Sequence, residues 1–249
     1  MPRLITVTGA GSGIGKATAA RFAANGDSVL LVGRRFDRLN ATADELKSVA
    51  GSVPVHTLPA DLSDEAGARR LREHVEALGR PVDGVVCCAG AAAPSGDGRL
   101  PSVAAEWHDA YLSNVMTAVL TVEALVPLLA DHASIVLYSS IAAYRGSAGT
   151  GSYGAAKAAL HSYTHHLATR LGPRGVSVNA IAPGYVAGTE FFGDRMTPAR
   201  EATLVRQTAM RRAGAPDDVA GLALFLCSPE GAYITSQILQ VNGGSQHGV

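Results

Sequence analysis

Cysteine is scarce in this sequence, which has three cysteines among 249 residues. Two of them, Cys87 and Cys88, are neighbours inside an apolar segment, and such a pair has poor geometry for a disulfide framework. No histidine or carboxylate stands at metal-ligand spacing beside these thiols, so we interpret them as small buried apolar side chains and predict no metal site. This cysteine usage suits a reducing compartment, and we expect a cytoplasmic protein.

An excess of charge of either sign is also absent, because 21 basic residues balance 21 acidic ones. With no net field to gather the chain onto nucleic acid or an anionic membrane surface, we expect neither as a partner. No apolar run approaches the roughly 20 residues of a membrane-spanning helix, and the first residues lack the charged region and cleavage site of a secretory signal. The sequence therefore predicts a soluble protein whose partner is a small molecule.

Linkers and internal repeats are missing as well, and a hydrophobic content of 47% is enough for one large core. Short runs rich in Val, Ile and Leu alternate with longer stretches of helical period, a pattern typical of βα units on a parallel sheet. The predicted strands are residues 4–8, 28–32, 53–58, 84–88, 134–139, 177–181 and 237–241. The predicted helices are residues 14–24, 36–49, 65–78, 104–130, 153–171 and 216–227. These elements predict one α/β domain over residues 1–249, a doubly wound (Rossmann-type) sheet of seven parallel strands with helices on both faces.

The widest stretch without a predicted element runs from residue 183 to about residue 214. It holds the aromatic pair Phe191 and Phe192, the glycines Gly184, Gly188 and Gly193, and five arginines. A long segment after the carboxyl end of a strand is where an open α/β sheet places a cover over its substrate. We predict a substrate lid at residues 184–214, with an ordinary surface excursion bearing solvated arginines as the alternative.

A glycine-rich turn, TGAGSGIG at residues 8–15, directly follows the first predicted strand and opens the first predicted helix. Gly9 permits a tight turn, Gly13 lets a pyrophosphate approach the backbone, and Gly15 allows close helix packing. The helix N-terminus adds free N–H groups and a favourable dipole. The turn therefore predicts a site for an anionic group.

The spacing of this turn is Gly-x-x-x-Gly-x-Gly rather than the Gly-x-Gly-x-x-Gly of many dinucleotide folds. Further motifs follow it in order: Asp61, the CCAG segment at residues 87–90, Asn114, Ser140, Tyr153 with Lys157, and Pro183-Gly184. In these motifs the sequence resembles the short-chain dehydrogenase/reductase family, in its compact, classical form, over almost the whole chain. The resemblance implies a nicotinamide-dependent oxidoreductase. The residues that it places at the cofactor are Gly9, Gly11, Ser12, Gly13, Ile14, Gly15, Asp61, Leu62, Ala89, Gly90, Tyr153, Lys157, Pro183, Gly184, Val186 and Thr189.

Two positions depart from the family pattern. Cys87 and Cys88 stand where the family usually has two asparagines, so we expect side-chain hydrogen bonds to be weakened or lost there. Ala89 and Gly90 stay small, as the adenosine side of the pocket requires, and packing is expected to stabilise this part of the sheet. The segment PGYVAGTE has one residue more before its threonine than the family pattern, so the assignment of Thr189 to the nicotinamide amide stays open.

The end of the second predicted strand bears on the choice of cofactor. A carboxylate there binds the ribose hydroxyls of NAD in dinucleotide folds, whereas a basic residue accommodates the 2′-phosphate of NADP. This strand ends LLVGRRFD, with Arg34 and Arg35 where a phosphate would arrive. Arginine offers a fixed charge and bidentate donors, so the sequence favours NADP. Asp37 lies close enough to keep NAD possible, and solvated arginines are the alternative interpretation.

Tyr153 and Lys157 lie four residues apart at the start of a predicted helix, so their side chains share one face. A nearby ammonium lowers the pKa of a tyrosine by stabilising its phenolate, which makes Tyr153 usable as a general acid or base. Ser140, at the carboxyl end of the fifth predicted strand, can hydrogen-bond a substrate oxygen, and its neighbour Ser139 points the other way. The family spacing selects Ser140 of these two. The resemblance also implies that Asn114 holds a water in a proton relay through Lys157.

These residues predict hydride transfer between a nicotinamide cofactor and a carbonyl or secondary alcohol. A 3-oxoacyl thioester, a steroid-like ketone and a small secondary alcohol all remain open as substrates. One alternative function is that of a non-catalytic NADP-binding regulator of the same fold. The complete set of Asn114, Ser140, Tyr153 and Lys157 argues against it. Another is a nucleotide-sugar epimerase or dehydratase, but the chain after Pro183 leaves little room for its larger substrate domain.

Two predicted helices, residues 104–130 and 153–171, carry more apolar residues than one sheet face should cover. The family resemblance implies that subunits pair through these helices. We therefore expect a homo-oligomer, and specifically a tetramer.

Overall fold

In the computed structural model, which describes residues 1–51, 53–92, 96–147 and 150–247, the apolar runs form one sheet of seven parallel strands. The strands are β1 (Leu4–Thr8), β2 (Ser28–Gly33), β3 (Val55–Pro59), β4 (Val82–Cys87), β5 (Leu129–Tyr138), β6 (Ser177–Pro183) and β7 (Ile238–Val241). Across the sheet they lie in the order β3-β2-β1-β4-β5-β6-β7. Because the order reverses between β1 and β4, the predicted doubly wound sheet is confirmed.

Nine α-helices connect the strands within the described residues. They are α1 (Gly13–Ala24), α2 (Phe36–Ala50), α3 (Glu65–Ala77), α4 (Leu100–Tyr111), α5 (Thr117–Leu125), α6 (Ala142–Arg145), α7 (Ser152–Leu171), α8 (Pro198–Arg206) and α9 (Pro216–Leu226). A π-helical turn, Leu112–Met116, joins α4 to α5. Short 3₁₀ turns lie at Val126–Leu128, Gly172–Arg174, Gly193–Arg195 and Pro229–Gly231.

Apolar side chains fill both faces of the sheet, because successive residues of a strand point to opposite sides. In β1, Leu4 packs into the core on one face and Ile5 into the core on the other. The first core lies beneath α3, α5 and α7, and the second lies beneath α1, α2 and α9. Both leading residues of β1 are fully buried, as a parallel sheet covered on two faces requires.

The predicted helix at residues 104–130 is wrong at both ends. The helix starts earlier, at Leu100, with Pro101 in its first turn, where a proline costs no hydrogen bond. It ends at the 3₁₀ turn Val126–Leu128, and Leu129 already belongs to β5. A short buried apolar run has the same pattern in a helix and in a strand, which is why the sequence did not separate the two.

The lid segment has a helix that the sequence analysis did not predict, namely α8. Thr197 caps this helix by accepting a hydrogen bond from the backbone N–H of Arg200, and Pro198 opens its first turn. A threonine directly before a proline is a signal for the start of a helix. The segment is therefore partly helical rather than irregular throughout.

One continuous helical stretch of the described chain, Leu100–Leu128, is long and apolar enough to cross a membrane by length and composition. A core helix of a soluble protein passes the same test, so a single such stretch is weak evidence for a membrane span. Here α4 packs on α7 and α5 packs on α3. Only 39% of the most apolar window is buried, however, so this part of the α/β fold has an exposed apolar face.

Candidate active site

The reversal of strand order between β1 and β4 brings the predicted site residues to one edge of the sheet. Parallel strands end at the same edge, so the segments that follow β1, β4, β5 and β6 meet there. These segments carry the glycine turn, Ala89-Gly90, Ser140 and the start of the lid. Asp61, after β3, lies farther along the same edge.

The glycine turn leads from β1 into α1 and leaves the N-terminus of that helix open. Ser12 is the N-cap residue, but its side chain makes no capping hydrogen bond, and the first turn has no acidic residue. Gly13 has a φ of +51°, and a Cβ there would lie 3.3 Å from the Thr189 methyl carbon. Uncapped N–H groups and the helix dipole suit a phosphate. The turn therefore fits the pyrophosphate of a dinucleotide.

Tyr153 is the second residue of α7, and its side chain is half-buried. Its ring packs against that of Phe191, with 5.2 Å between the ring centroids. Burial raises the pKa of Tyr153 to about 12, and a hydrogen bond with Ser140 partly offsets this rise. The phenol is therefore neutral near pH 7 and carries a proton that it can donate.

Lys157 lies one helical turn after Tyr153 and is 4% exposed. Its Nζ donates a hydrogen bond of 2.7 Å to the carbonyl oxygen of Tyr138, the last residue of β5. The same Nζ is 5.9 Å from the centroid of the Tyr153 ring. Burial lowers the pKa of Lys157 to about 8, an effect that the neighbouring Cys88 and Cys87 oppose.

The lowered pKa expected for Tyr153 from its spacing to Lys157 is not found in this structure. The spacing places both groups on one helix face, but desolvation of the phenol dominates its pKa. The charge of Lys157 still has a role, because Coulomb attraction in a partly dry cleft stabilises the phenolate that forms once Tyr153 has given up its proton.

Asn114 lies in the π-helical turn and is 1% exposed. Its Oδ1 accepts a hydrogen bond of 3.3 Å from the backbone N–H of Ala91. Its Nδ2 donates to the carbonyl oxygens of Ala91, at 2.9 Å, and of Ala110, at 3.0 Å. These hydrogen bonds hold the segment that follows β4 against α4 and the π-helical turn.

Gly90 lies between Asn114 and Lys157 and has no room for a side chain. A Cβ at this position would lie 2.7 Å from Asn114 Oδ1 and 3.1 Å from Lys157 Nζ. Any larger residue would push these polar groups out of place. The glycine therefore keeps the amide and the ammonium close to one another.

Ser139 and Ser140 have different surroundings after β5. Ser139 is buried, its Oγ donates to the carbonyl oxygen of Lys157 at 3.2 Å, and it lies 2.7 Å from Nε2 of His161. Ser140 instead forms a hydrogen bond with Tyr153. The structure therefore places Ser140, and not Ser139, beside the phenol.

The cysteine pair at the end of β4 has polar neighbours. Burial raises the pKa of Cys87 to about 12. The thiol of Cys88 hydrogen-bonds with the hydroxyl of Thr18 in α1, and the backbone N–H of Ala89 donates to Oγ1 of Thr8 at 3.1 Å. These contacts join the end of β4 to β1 and α1, while Cys87 itself is packed in the hydrophobic core.

Arg34 and Asp61 lie near each other at the far end of the edge. Arg34 directly follows β2 and is exposed. Hydrogen bonds from Ser63 lower the pKa of Asp61, and the charge of Arg34 lowers it further. Leu62, next to Asp61, is 3% exposed. An exposed guanidinium after the second strand stands where dinucleotide folds bind the 2′-phosphate of NADP.

Arg35 forms an ion pair that the sequence analysis did not predict. Its Nη2 lies 2.9 Å from Oε2 of Glu190, and Nη2 of Arg38 lies 3.0 Å from Oε1 of the same carboxylate. Arg38 was overlooked in the sequence, although its place in the first turn after the second strand was a usable signal. No sequence signal places Glu190, more than 150 residues away, at this point.

Aromatic side chains of the segment predicted to be a lid pack beside Tyr153. The rings of Phe191 and Phe192 meet edge to face with 4.9 Å between centroids, and the guanidinium of Arg200 lies 5.0 Å from the centroid of the Phe192 ring. The hydroxyl of Tyr185 donates to Glu201 at 2.9 Å. A cavity of about 250 Å³ is lined in part by these side chains.

The start of the lid is tied to the sheet. Pro183 is the last residue of β6, and the backbone N–H of Gly184 donates to the carbonyl oxygen of Val241 at 2.9 Å. Val186 is 7% exposed, and its carbonyl oxygen accepts a hydrogen bond of 3.3 Å from Thr189 Oγ1. These contacts bring Thr189 over the glycine turn.

Glu106 is a buried acid that the sequence analysis also overlooked. This residue of α4 is 6% exposed. Its Oε1 accepts hydrogen bonds from Oγ1 of Thr150, at 2.7 Å, and from Oγ of Ser152, at 3.0 Å. These donors, Thr150 foremost, lower the pKa of Glu106. Because Ser152 directly precedes Tyr153, Glu106 holds the segment that opens α7.

Comparison with known proteins gives the same picture. A family model described as enoyl-(acyl carrier protein) reductase matches residues 9–246. The chain is 35% identical over 246 residues to an uncharacterized oxidoreductase of Mycobacterium tuberculosis, with 97% of this chain and 91% of that protein covered. It is 32% identical over 241 residues to a 7alpha-hydroxysteroid dehydrogenase of Escherichia coli, with 96% and 92% covered. It is 31% identical over 242 residues to a 3-oxoacyl-(acyl-carrier-protein) reductase of Aquifex aeolicus, with 96% and 95% covered.

Solved structures agree with these relatives. A short-chain type dehydrogenase/reductase from Mycobacterium ulcerans is similar at a TM-score of 0.90 and 30% identity, with 98% of this chain and 89% of that chain covered. A blue fluorescent protein from a metagenomic library, in complex with NADPH, is similar at a TM-score of 0.86 and 29% identity, with 98% of each chain covered. The chain therefore belongs to the short-chain dehydrogenase/reductase family and is an oxidoreductase that uses a nicotinamide cofactor.

Proposed function

We propose that the protein reduces a ketone to a secondary alcohol with NADPH and that Tyr153 donates the proton. One observation carries this proposal. The neutral phenol of Tyr153 hydrogen-bonds with Ser140 and lies one turn from the buried ammonium of Lys157, at the carboxyl edge of the sheet. A proton donor, a second hydroxyl for the carbonyl oxygen and a positive charge nearby are the groups that such a reduction needs.

Ser140 and Tyr153 act together on the substrate oxygen. Their hydroxyls hydrogen-bond with one another, so a carbonyl oxygen between them can accept a hydrogen bond from each. The cofactor, when bound, supplies the hydride for the carbonyl carbon. Ser140 holds the oxygen as negative charge develops, Tyr153 transfers its proton to that oxygen, and Lys157 stabilises the remaining phenolate.

The high pKa of the phenol suits the role of proton donor in ketone reduction. A tyrosine whose pKa is about 12 holds its proton near neutral pH, as a proton donor must. Alcohol oxidation needs the deprotonated form as a base, which is rare at that pH. The same groups serve both directions, and the concentrations of ketone, alcohol and the two cofactor forms decide which one proceeds.

The other predicted site residues keep their proposed roles. The glycine turn binds the pyrophosphate, while Asp61, Leu62, Ala89 and Gly90 contact the adenosine half. Asn114 holds a water that returns protons to Tyr153 through Lys157. The nicotinamide side is bound by Pro183, Gly184, Val186 and Thr189, and the close approach of Thr189 to Gly13 supports its inclusion.

We propose that the substrate is an apolar ketone. It binds within a single domain, beneath a lid formed by residues 184–214. The ring of Phe191 on Tyr153 and the adjoining ring of Phe192 form an apolar surface beside the proton donor. Steroid and acyl-carrier names among the relatives support ketones of this kind. Three unpaired cysteines support a reducing, cytoplasmic location.

A panel of ketones and alcohols tests the proposal directly. The substrates are a steroid ketone, a 3-oxoacyl thioester, a short aliphatic ketone and their alcohols, each assayed by NADPH or NADH absorbance at neutral pH. We expect NADPH oxidation with the large apolar ketones and little turnover of the short one. Cofactor binding without turnover of any carbonyl or alcohol would contradict the proposal and support a non-catalytic regulator.

Replacement of Arg34 tests the proposed preference for NADP(H). Arg34→Asp should weaken NADPH binding by about 1.5–3 kcal/mol, because it removes a charge-assisted contact and adds repulsion. NADH binding should change much less, since that cofactor has no 2′-phosphate. Titration of cofactor fluorescence measures both dissociation constants, with Arg69→Asp, a surface change on α3, as the charge-matched control. Equal losses for both cofactors would show that Arg34 does not bind the phosphate.

We propose a tetramer assembled in part through the exposed apolar face of α4. Trp107 and Tyr111, one turn apart on that helix, are 45% and 50% exposed, and exposed aromatic residues of this kind mark interfaces. Light scattering at micromolar concentration should give about four times the chain mass of 25.5 kDa. Trp107→Lys should lower that mass, whereas a monomer in the unaltered protein would rule out the proposal.

A further inference from the structure

Glu190, in the lid, forms ion pairs with Arg35 and Arg38 at the start of α2. We call these three residues the Glu190 bridge. One carboxylate oxygen pairs with Arg35 at 2.9 Å and the other pairs with Arg38 at 3.0 Å. Both oxygens of the carboxylate are therefore used, each by a different guanidinium. Two guanidinium groups around one anion are the donor set that also suits a phosphate.

The bridge lies beside the glycine turn. The neighbouring lid residue, Thr189, has its methyl carbon near Gly13. On the other side, a Cβ on Gly11 would lie 3.0 Å from Cβ of Arg38. The pair Thr189-Glu190 thus crosses from the glycine turn to the arginines after β2.

The arginines of the bridge are neighbours of Arg34, to which the proposed function assigns the 2′-phosphate. A phosphate bound to Arg34 would also lie near Arg35, which is the next residue of the chain at the same carboxyl edge of the sheet. Its negative charge would meet the carboxylate of Glu190 at close range, and like charges repel. A bound 2′-phosphate and the intact Glu190 bridge are therefore in competition.

The bridge is weak enough to be displaced. The side chains of Arg35, Arg38 and Glu190 are 52%, 48% and 49% exposed, and ion pairs that face water contribute little. A phosphate carries more charge than a carboxylate and three acceptor oxygens. It therefore replaces Glu190 without a large cost to the fold.

We propose that Glu190 is a specificity-determining residue that competes with the 2′-phosphate of the cofactor for Arg35 and Arg38. The proposal rests on the proposed function, because it takes the arginine cluster as the phosphate site. Glu190 lowers the affinity for NADP(H) and leaves the affinity for NAD(H) unchanged. Since Glu190 is part of the lid, binding of the phosphorylated cofactor also releases the lid from α2.

Glu190→Gln tests this competition, because the amide keeps the shape of the side chain and removes its charge. Dissociation constants are measured by cofactor fluorescence for NADPH and NADH. Adenosine 2′,5′-bisphosphate and 5′-AMP, as competitors, report on the phosphate alone. We expect Glu190→Gln to bind NADPH and the bisphosphate about three- to tenfold more tightly, the range for two exposed ion pairs. NADH and 5′-AMP should change by less than about twofold.

Two further variants separate the bridge from general charge effects. Glu65→Gln removes an equal charge from an exposed ion pair with Arg69 on α3 and should leave all four constants unchanged. Arg38→Ala removes one partner of Glu190, so that Glu190→Gln in this background should gain less than in the native chain.

The outcomes distinguish this inference from the proposed function. If the native protein prefers NADPH but Glu190→Gln binds it no more tightly, the competition is refuted and the proposed cofactor preference stands. If the native protein shows no preference but Glu190→Gln acquires one for NADPH, the competition is supported and the native preference is refuted. If neither protein discriminates between the cofactors, the competition and the proposed cofactor preference are both refuted.

Discussion

Tyr153→Phe is expected to lower the turnover of the best ketone substrate by a factor of about 10² to 10⁴, the range for a positioned acid or base. The substitution removes one hydroxyl and leaves the ring that packs on Phe191. No adjacent side chain can deliver the proton equally well, because Ser140 is a far weaker acid. Steady-state kinetics with saturating NADPH measure the effect. Circular dichroism and cofactor fluorescence should show an intact fold and unchanged cofactor binding.

Tyr185→Phe is the matched control for this experiment. It removes a phenol hydroxyl from the segment that follows β6, but that hydroxyl donates to Glu201 and has no proposed chemical role. We expect a change in turnover of less than about tenfold, as for a lost peripheral hydrogen bond. Near-native turnover by folded Tyr153→Phe would exclude Tyr153 as the proton donor.

Lys157→Ala is expected to lower ketone reduction by a factor of about 10² to 10³, the loss that follows removal of one group that stabilises developing charge. In the native enzyme, Lys157 is charged below its pKa of about 8. Its stabilisation of the phenolate is therefore present below that pH and lost above it, so reduction should slow as the pH rises through about 8. The variant should lack this falling limb.

Rates measured from pH 6 to 10 in both directions test the role of Lys157. In the direction of alcohol oxidation, the variant should need a higher pH than the native enzyme, because Tyr153 loses the charge that favours its phenolate. Lys157→Arg keeps a charge at every pH used. Its rate of ketone reduction should therefore also show no fall near pH 8, and this rate should exceed that of Lys157→Ala. A native pH profile in folded Lys157→Ala would contradict the role given to the ammonium.

The sheet could be predicted from the sequence because its strands are buried on both faces. Leu4–Thr8 is an apolar run that ends at a glycine turn, and its bounds are those predicted. Errors arose where two elements share one apolar run, as at Leu129, where a helical stretch passes into β5 without a polar boundary. Periodicity cannot resolve such a junction.

The candidate site was predictable where one short motif carries the chemistry. Tyr153 and Lys157 are fixed by helix geometry, and their shared face follows from the spacing. Their pKa values were not predictable, because burial determines both, and burial depends on elements far along the chain such as the lid residue Phe191.

Contacts between distant elements account for the residues that were overlooked. Glu190 meets Arg35 and Arg38 only because the lid folds back over the glycine turn. Glu106 reaches Ser152 only because α4 packs on α7. Each acid resembles an ordinary surface residue in the sequence, and no local pattern distinguishes it.

The π-helical turn Leu112–Met116 determines how α5 is rotated relative to α4. Such a turn contains one residue more than α-helical geometry accommodates. Deleting one residue would give α4 and α5 a continuous hydrogen-bond ladder, and α5 would rotate by about 100° relative to α4. That rotation would carry Asn114 away from the backbone of Ala91, to which its amide is bonded. It would also turn the buried α5 residues Ala118, Val122 and Leu125 away from the core, so the extra residue of this turn serves the packing of α5 as well as the position of Asn114.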